Sequence, residues 1–283
     1  MTLTNDVTAM PNGEPSRTAP RWQPRQRPSE SPHAHGVTPA AERTLDILEF
    51  IATHGETRAA MLARELGIPR SSVYQLLDVL ERHGFVTCLK DRHTYGIGLK
   101  TFEMGSAYSR QHRVSRIAHP VLARLVDDTG ENGHLAVLHG SQIVYVLEER
   151  AAGRPPLVSG VGVRLPSHLT ASGRAMLAGL PRAQVDALYP NRAAFVDRTG
   201  IGPKSPKELR ALLSQVHATG FAEEHGDVTP GFDSYAVAIR DYNGYPIAGL
   251  ALTFVSNALG TDRLDVLRNR LKLAGEELSR DLQ

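Results

Sequence analysis

The sequence predicts an α+β chain of two units, an N-terminal winged helix-turn-helix followed by an antiparallel sheet covered by helices. Three observations predict it. At roughly 150 residues per domain, 283 residues suggest two folded units. Between residues 39 and 100, three helical periodicities with a glycine between the second and third precede two short strand patterns. Farther on, two alternating runs flank Asn243 and Gly244, a dipeptide suited to a two-residue hairpin with positive backbone angles.

Residues 1 to 38 carry prolines at 11, 15, 20, 24, 28 and 32 and almost no consecutive apolar residues, so a disordered tail is expected there. Its arginines 17, 21, 25 and 27 face Asp6, Glu14 and Glu30, which favours a solvated segment over a polyanion-binding arm. From Pro39, a stripe of Ala41, Leu45, Leu48, Ile51 and Ala52 predicts a first helix ending near Gly55. Thr57 is the expected cap of a second helix carrying Leu62, Ala63 and Leu66, closed by Gly67 in a left-handed conformation. Pro69 suits the first turn of a third helix, with Val73, Leu76, Leu77 and Leu80 facing inward and Gly84 ending it. Strands over 85–89 and 94–99 then form a wing around Lys90, Asp91, Arg92 and His93. Together these give a winged helix-turn-helix unit over 39–100 and a linker helix over 101–113.

The second unit, 114–283, opens with Val114, Ile117, Val121, Leu122 and Leu125 on a helix that ends at Gly130. Strands 133–138 and 142–149 follow across Gly140 and Ser141. Helices are expected near 170–179, 182–188 and 206–218, with Ser205 and Glu208 as a capping box and Pro206 at the first helical position. Strands 234–240 and 246–255 and a last helix through Leu264, Leu267, Leu271, Ala274 and Leu278 complete the chain.

Composition bounds the function. Hydrophobic residues are 41% and charged residues 22%, usual for a globular chain. One cysteine, Cys88, excludes an internal disulfide and fits a reducing compartment. No stretch approaches 18 uninterrupted apolar residues, so no membrane partner and a cytoplasmic location are expected. Net charge is only +2, so local pattern must decide whether nucleic acid is a partner.

That pattern points to double-stranded DNA. Counting from Ala59, small or apolar residues fall where two steeply crossed helices need them, with Gly67 in the turn. On the third helix Arg70, Ser71, Ser72, Tyr74 and Gln75 are the expected exposed residues. An arginine can bond guanine or phosphate, a glutamine can pair with adenine, and serines at a helix start can bond phosphate. Lys90, Arg92 and His93 at the wing tip can touch phosphate or the minor groove, or form a solvated turn. Residues 39–100 hold eight basic and eight acidic residues, so one copy binds weakly. At least a dimer on an operator with two-fold symmetry is expected.

The order of motifs resembles the IclR-type bacterial transcriptional regulators. The matching words are AERTLDILEFIATHG, LARELGIPRSSVYQLLDVLERHGFV, YGIGLK, GHLAVLHGSQIVYVLEE, LPSHLTASGRAMLA, GFAEEHGDVTPG and YAVAIRDYNGYPIAGLALTF. The resemblance spans about residues 39 to 280 and implies a GAF-like effector-binding domain, dimers or pairs of dimers, and small organic acids or aromatic metabolites as ligands; a repressor is the default expectation and an activator would use the same parts. It implies a pocket lined by Leu157, Ala171, Ser172, Glu224, Asp227, Ser234, Ala251 and Thr253. Ser172 and Gly173 open a helix whose amides suit an anionic head group, and Arg154 and His168 can add charge or be merely structural. The chain departs from the family in Gln75, where arginine is common, and in the bulk of Phe232 and Tyr235. Glu223 beside Glu224 disfavours an acid unless one of the two faces away.

Two other readings stand beside this one. An enzyme lacks support, because no nucleophile elbow, phosphate loop or H-E-x-x-H helix occurs and no cofactor motif is present. Glu223, Glu224, His225 and Asp227, with His168, could hold a metal, although a solvated polar loop is the default; His112 and His119 share a helical face by spacing alone. The third reading is a module whose helix-turn-helix serves only protein contacts.

Overall fold

A computed structural model describes residues 38–111, 113–155, 157 and 160–282, so the predicted tail falls outside the described residues except for Thr38. The chain forms two compact units, one ending at Ile97 and lacking residues 83–85, the other made of those three residues and everything from Gly98 onward. No helix among the described residues is long and apolar enough to cross a membrane.

The first unit contains α1 (Pro39–His54), α2 (Ala59–Leu66), α3 (Arg70–Arg82) and a two-stranded wing, β1 (Val86–Leu89) and β2 (Thr94–Ile97). Its core is Ile47, Phe50, Ile51, Leu62, Val73, Leu77 and Leu80. Two expectations are corrected. The buried face of α1 is Ile47, Phe50 and Ile51, whereas Ala41, Leu45 and Ala52 lie exposed, because α1 carries two apolar stripes and packs only one. Thr57 does not cap α2, whose cap position is Arg58. Its backbone instead forms a bridge with Tyr95, accepting at 2.8 Å and donating at 3.0 Å, which ties the α1–α2 loop to the wing. Gly67 is left-handed as expected, φ 65°, and its amide closes α2 onto Ala63.

The second unit begins with α4 (Leu99–Gln111) and α5 (Arg113–Thr129), and its centre is a six-stranded antiparallel sheet. The strands are β3 (Asn132–His139), β4 (Gln142–Glu149), β5 (Arg164–Pro166), β6 (Ala222–His225), β7 (Phe232–Arg240) and β8 (Pro246–Val255), in the order β5-β4-β3-β8-β7-β6. Edge strands β5 and β6 lie in stretches the sequence reading leaves without strands. The β7–β8 turn also differs from expectation. Asn243 lacks a positive φ, and Asp241 organises a longer loop by accepting from the amides of Asn243 and Tyr245.

Helices cover both faces. On one, α5 and α9 (Thr261–Asp281) bury Leu122, Leu125, Leu267 and Leu271 against Leu135, Leu250 and Leu252. On the other lies α6 (Ala171–Gly179), followed by α7 (Arg182–Leu188) and α8 (Pro206–Thr219). Small residues permit a close fit there, with Ala171 and Ala175 against Ala222, Ala236 and Ala251. The start of α8 is the predicted Ser205 cap, whose hydroxyl accepts from the Glu208 amide at 3.3 Å; the Glu208 carboxylate returns to the Lys204 amide rather than to that of Ser205.

Candidate functional site

In the first unit, α3 is amphipathic. Val73 and Leu77 are fully buried, Leu76 is half-buried, and Arg70, Ser71, Tyr74 and Gln75 are exposed, with Ser72 between. The exposed residues share the N-terminal half of the helix, where free backbone amides and the positive end of the dipole favour an anion. The acidic Asp78 lies farther along, tied to Arg82 at 3.2 Å. An open groove beside this end is lined by Arg58, Arg64 and Arg70, with Glu56 as its acidic residue. Arg64 pairs with Glu65, but Arg58 and Arg70 make no ion pair among the described residues. At the wing, Lys90, Arg92 and His93 are all exposed, and Arg92 reaches Glu56 at 3.3 Å, a solvent-exposed pair worth little on its own. The surface thus offers hydrogen-bonding side chains and unpaired cations, the chemistry that phosphates and base edges require.

In the second unit, a cavity of about 30 Å³ lies between the sheet and the start of α6. Seven of the expected residues, Leu157, Ala171, Ser172, Glu224, Ser234, Ala251 and Thr253, line it together with Tyr145, Thr170, Val228, Thr229 and Phe232. Strand pairing explains the convergence. Asn132 opposes Thr253, Thr253 opposes Ser234, and Ser234 opposes Glu224, so one row across β3, β8, β7 and β6 puts four polar side chains on a single face. The hydroxyls of Ser234 and Thr253 are 3.0 Å apart. Glu224 is buried and accepts from the Val228 amide at 3.1 Å. Burial raises its carboxyl above the usual range, opposed by the Val228 and Ser234 hydrogen bonds and by Arg174, and reinforced by Asp227. At the other wall, Thr170 caps α6 by accepting from the Gly173 amide at 3.1 Å.

Asp227 is not on this wall. It pairs with Arg174 of α6, and the two are sealed from solvent. Arg174 also donates through Nε to the His168 carbonyl at 2.9 Å and through Nη1 to the Glu223 carbonyl at 2.7 Å. One buried guanidinium therefore fastens α6 to β6 beside Glu224, a role that nothing in the apolar pattern of ASGRAMLAG signals. Arg154 and His168 are engaged elsewhere. Arg154 pairs with buried Glu131 and donates to the Gly130 carbonyl, while the His168 ring meets the Val196 carbonyl and the Tyr189 hydroxyl.

Alternation along β6 separates the neighbouring acids. Glu224 faces the cavity, whereas Glu223 meets Arg268 of α9 at 2.9 Å on the opposite face. Phe232 lines the cavity as expected, but Tyr235 turns away and stacks edge-on with Phe221 and Phe254 under Arg268. His225 lies with Glu223 and Asp233, each 3.3 Å away; burial opposes its charge, and the two carboxylates outweigh that and raise its proton affinity. Among the described residues no group of three His, Cys, Asp or Glu side chains could hold a metal. His119 meets Glu149 at 3.0 Å, and His112 lies outside the described residues.

Comparison with known proteins bears on both units. The family described as Bacterial transcriptional regulator IclR C-terminal matches residues 106–280, and the IclR helix-turn-helix domain matches 40–88. The chain is 27% identical over 249 residues to the acetate operon repressor of Salmonella typhimurium, covering 86% of this chain and 90% of that protein. The crystal structure of Thermotoga maritima IclR matches with a TM-score of 0.71 and 28% identity over 87% of this chain and 99% of that one. An IclR homologue from Microbacterium hydrocarbonoxydans, crystallised with 4-hydroxybenzoate, matches with a TM-score of 0.72 over 86% and 98% of the two chains; at 21% identity that likeness concerns the fold.

Proposed function

Because the chain belongs to the IclR family of bacterial transcriptional regulators, and is therefore a DNA-binding regulator and not an enzyme, we propose that it is a repressor with α3 as its reading element and the α6-side cavity as its effector site. The observation that carries the first half is the exposure of Arg70, Ser71, Tyr74 and Gln75 on one end of a helix whose other face is fully packed. On this reading Arg70 and the serines take phosphates or guanine, Gln75 takes adenine, and Lys90, Arg92 and His93 take the flanking backbone or minor groove.

The working unit is a dimer or a tetramer, and its operator has two-fold symmetry. Support comes from apolar surface that each unit leaves uncovered: Leu45 on α1 is 61% exposed, and Leu99 and Phe102 on α4 are both 71% exposed. A neutral reading head also gains occupancy by duplication. Such a regulator works in the cytoplasm, beside the chromosome.

The effector is a small organic acid or aromatic compound. Supporting this are the polar row ending in Glu224, the aromatic walls Tyr145 and Phe232, and the 4-hydroxybenzoate held by one structural relative; the Gly173 amide is taken by Thr170, which leaves the Ala171 and Ser172 end of α6 toward the cavity. A cavity of about 30 Å³ admits roughly two waters, so any such ligand must part α6 from the sheet. That requirement gives a ligand different affinities for two arrangements of the domain, the condition for altering operator affinity through the linker helix α4. The decisive experiment is a gel shift of the full chain on its own upstream region. Substituting Arg70 and Gln75 together by alanine should abolish sequence-selective retardation; unchanged retardation would reject α3 as the reader.

A further inference from the structure

Among the described residues, the ionisable side chains on the cavity wall are acids: Tyr145 and Glu224 line it, and no lysine, arginine or histidine does. The buried cation behind the wall, Arg174, is committed to the His168 and Glu223 carbonyls and to Asp227. The groups facing Glu224 can be taken element by element. From β7 comes the Ser234 hydroxyl; from α6, Arg174, neutralised by Asp227 of the following loop; from β4, the Tyr145 phenol, itself raised by burial. On its own strand, Glu223 and His225 turn to the opposite face and meet Arg268 and Asp233.

An organic anion entering here would meet the positive start of α6 at one wall and the Glu224 carboxyl at the other. Among the described residues no side-chain cation lines this small space to offset two negative charges. Two carboxylates a few ångströms apart in such a medium do not both stay ionised, whereas one proton between them removes the repulsion and creates a short, charge-assisted O–H···O bond.

We propose that the cavity holds a small monocarboxylate together with one added proton, shared between the ligand's carboxylate and Glu224. This rests on the cavity being the effector site. It makes the regulator respond to acidity as well as to ligand. Burial of Glu224, which already favours its protonated form, lowers the cost of that proton.

The test is calorimetric titration of the full chain with 4-hydroxybenzoate and with its uncharged analogue 4-hydroxybenzamide, between pH 6 and pH 8, in two buffers of different ionisation heat. The expected result for the acid is an affinity that rises as the pH falls, up to tenfold per pH unit above the Glu224 titration, with proton uptake wherever Glu224 is ionised in the free protein. The amide should bind without proton uptake. In Glu224→Gln, the acid should bind with no pH dependence. Wild-type affinity for the acid that stays flat with pH and equals that of Glu224→Gln overturns the shared proton and leaves the effector site standing. Binding that survives Ala251→Trp, which fills the cavity, overturns the site itself. Failure of the acid to bind while the amide binds overturns the ligand class, and failure of both overturns the site and the proton together.

Discussion

Arg174 and Asp227 face each other across the α6–β6 junction with side-chain exposures of only 4% and 5%, the most deeply buried ion pair among the described residues. Removing either partner leaves a charge in a dry interior, which costs about 3–5 kcal/mol. Arg174→Ala and Asp227→Ala should each lower the unfolding free energy of the second unit, read from urea titration, by that amount. The double variant Arg174→Met with Asp227→Leu should cost far less than the sum. Additive losses would mean that the two side chains are not coupled.

Burial pushes His134 down to about 4 from its ordinary 6.5. Between those values the unfolded chain binds more protons than the native one, so stability rises with pH across that window and is lost as the pH falls through it. The loss should approach about 1.4 kcal/mol per pH unit from this residue alone. Urea titrations at pH 4.5, 5.5 and 6.5 should show the slope in the wild type and a flatter profile in His134→Gln; identical profiles would assign the slope to other groups.

Two glycines are required for different reasons, and alanine separates them. At Gly67 a Cβ would meet nothing within 4 Å, so Gly67→Ala should cost only the left-handed backbone penalty, about 1 kcal/mol. At Gly173 a Cβ would lie 2.1 Å from the Ser167 carbonyl oxygen, so Gly173→Ala must push α6 off its preceding turn. That variant should be the more destabilising of the two in chemical unfolding, and it should weaken effector binding as well.

Single substitutions on α3 should divide by role. Arg70→Ala should weaken operator and non-operator DNA alike and reduce the salt slope of log K by about 1 if it holds a phosphate. Gln75→Ala should cost about 1–3 kcal/mol on the operator only, seen as relaxed preference at one base pair. Salt-dependent fluorescence anisotropy on matched and scrambled duplexes checks both.

Legibility followed the kind of signal. Gly67, the packed face of α3, the wing and the Ser205 cap are local features, written in a few neighbouring residues. The α1 stripe misleads because Ala41, Leu45 and Ala52 repeat as regularly as Ile47, Phe50 and Ile51, and only packing distinguishes them. Strand β6 is hidden because AEEH looks like a charged loop; its carboxylates are accommodated by Arg268 on one face and the Val228 amide on the other, both distant in kind from any strand propensity. The cavity residues are foreseen through family resemblance, not periodicity. Asp227 departs from that expectation because its partner, Arg174, sits 53 positions away inside an apolar word.

The row from Asn132 through Thr253 and Ser234 to Glu224 depends on four strands keeping their frame. A deletion or insertion of one residue within any of them would turn its member of the row toward α5 and α9 and bring a strand neighbour, such as Glu223 or His225 for Glu224 and Leu252 or Phe254 for Thr253, into its place. Diversification of ligand taste in such a scaffold is thus confined to point changes along the row, while length changes are tolerated only outside the sheet, as in the span between α7 and α8.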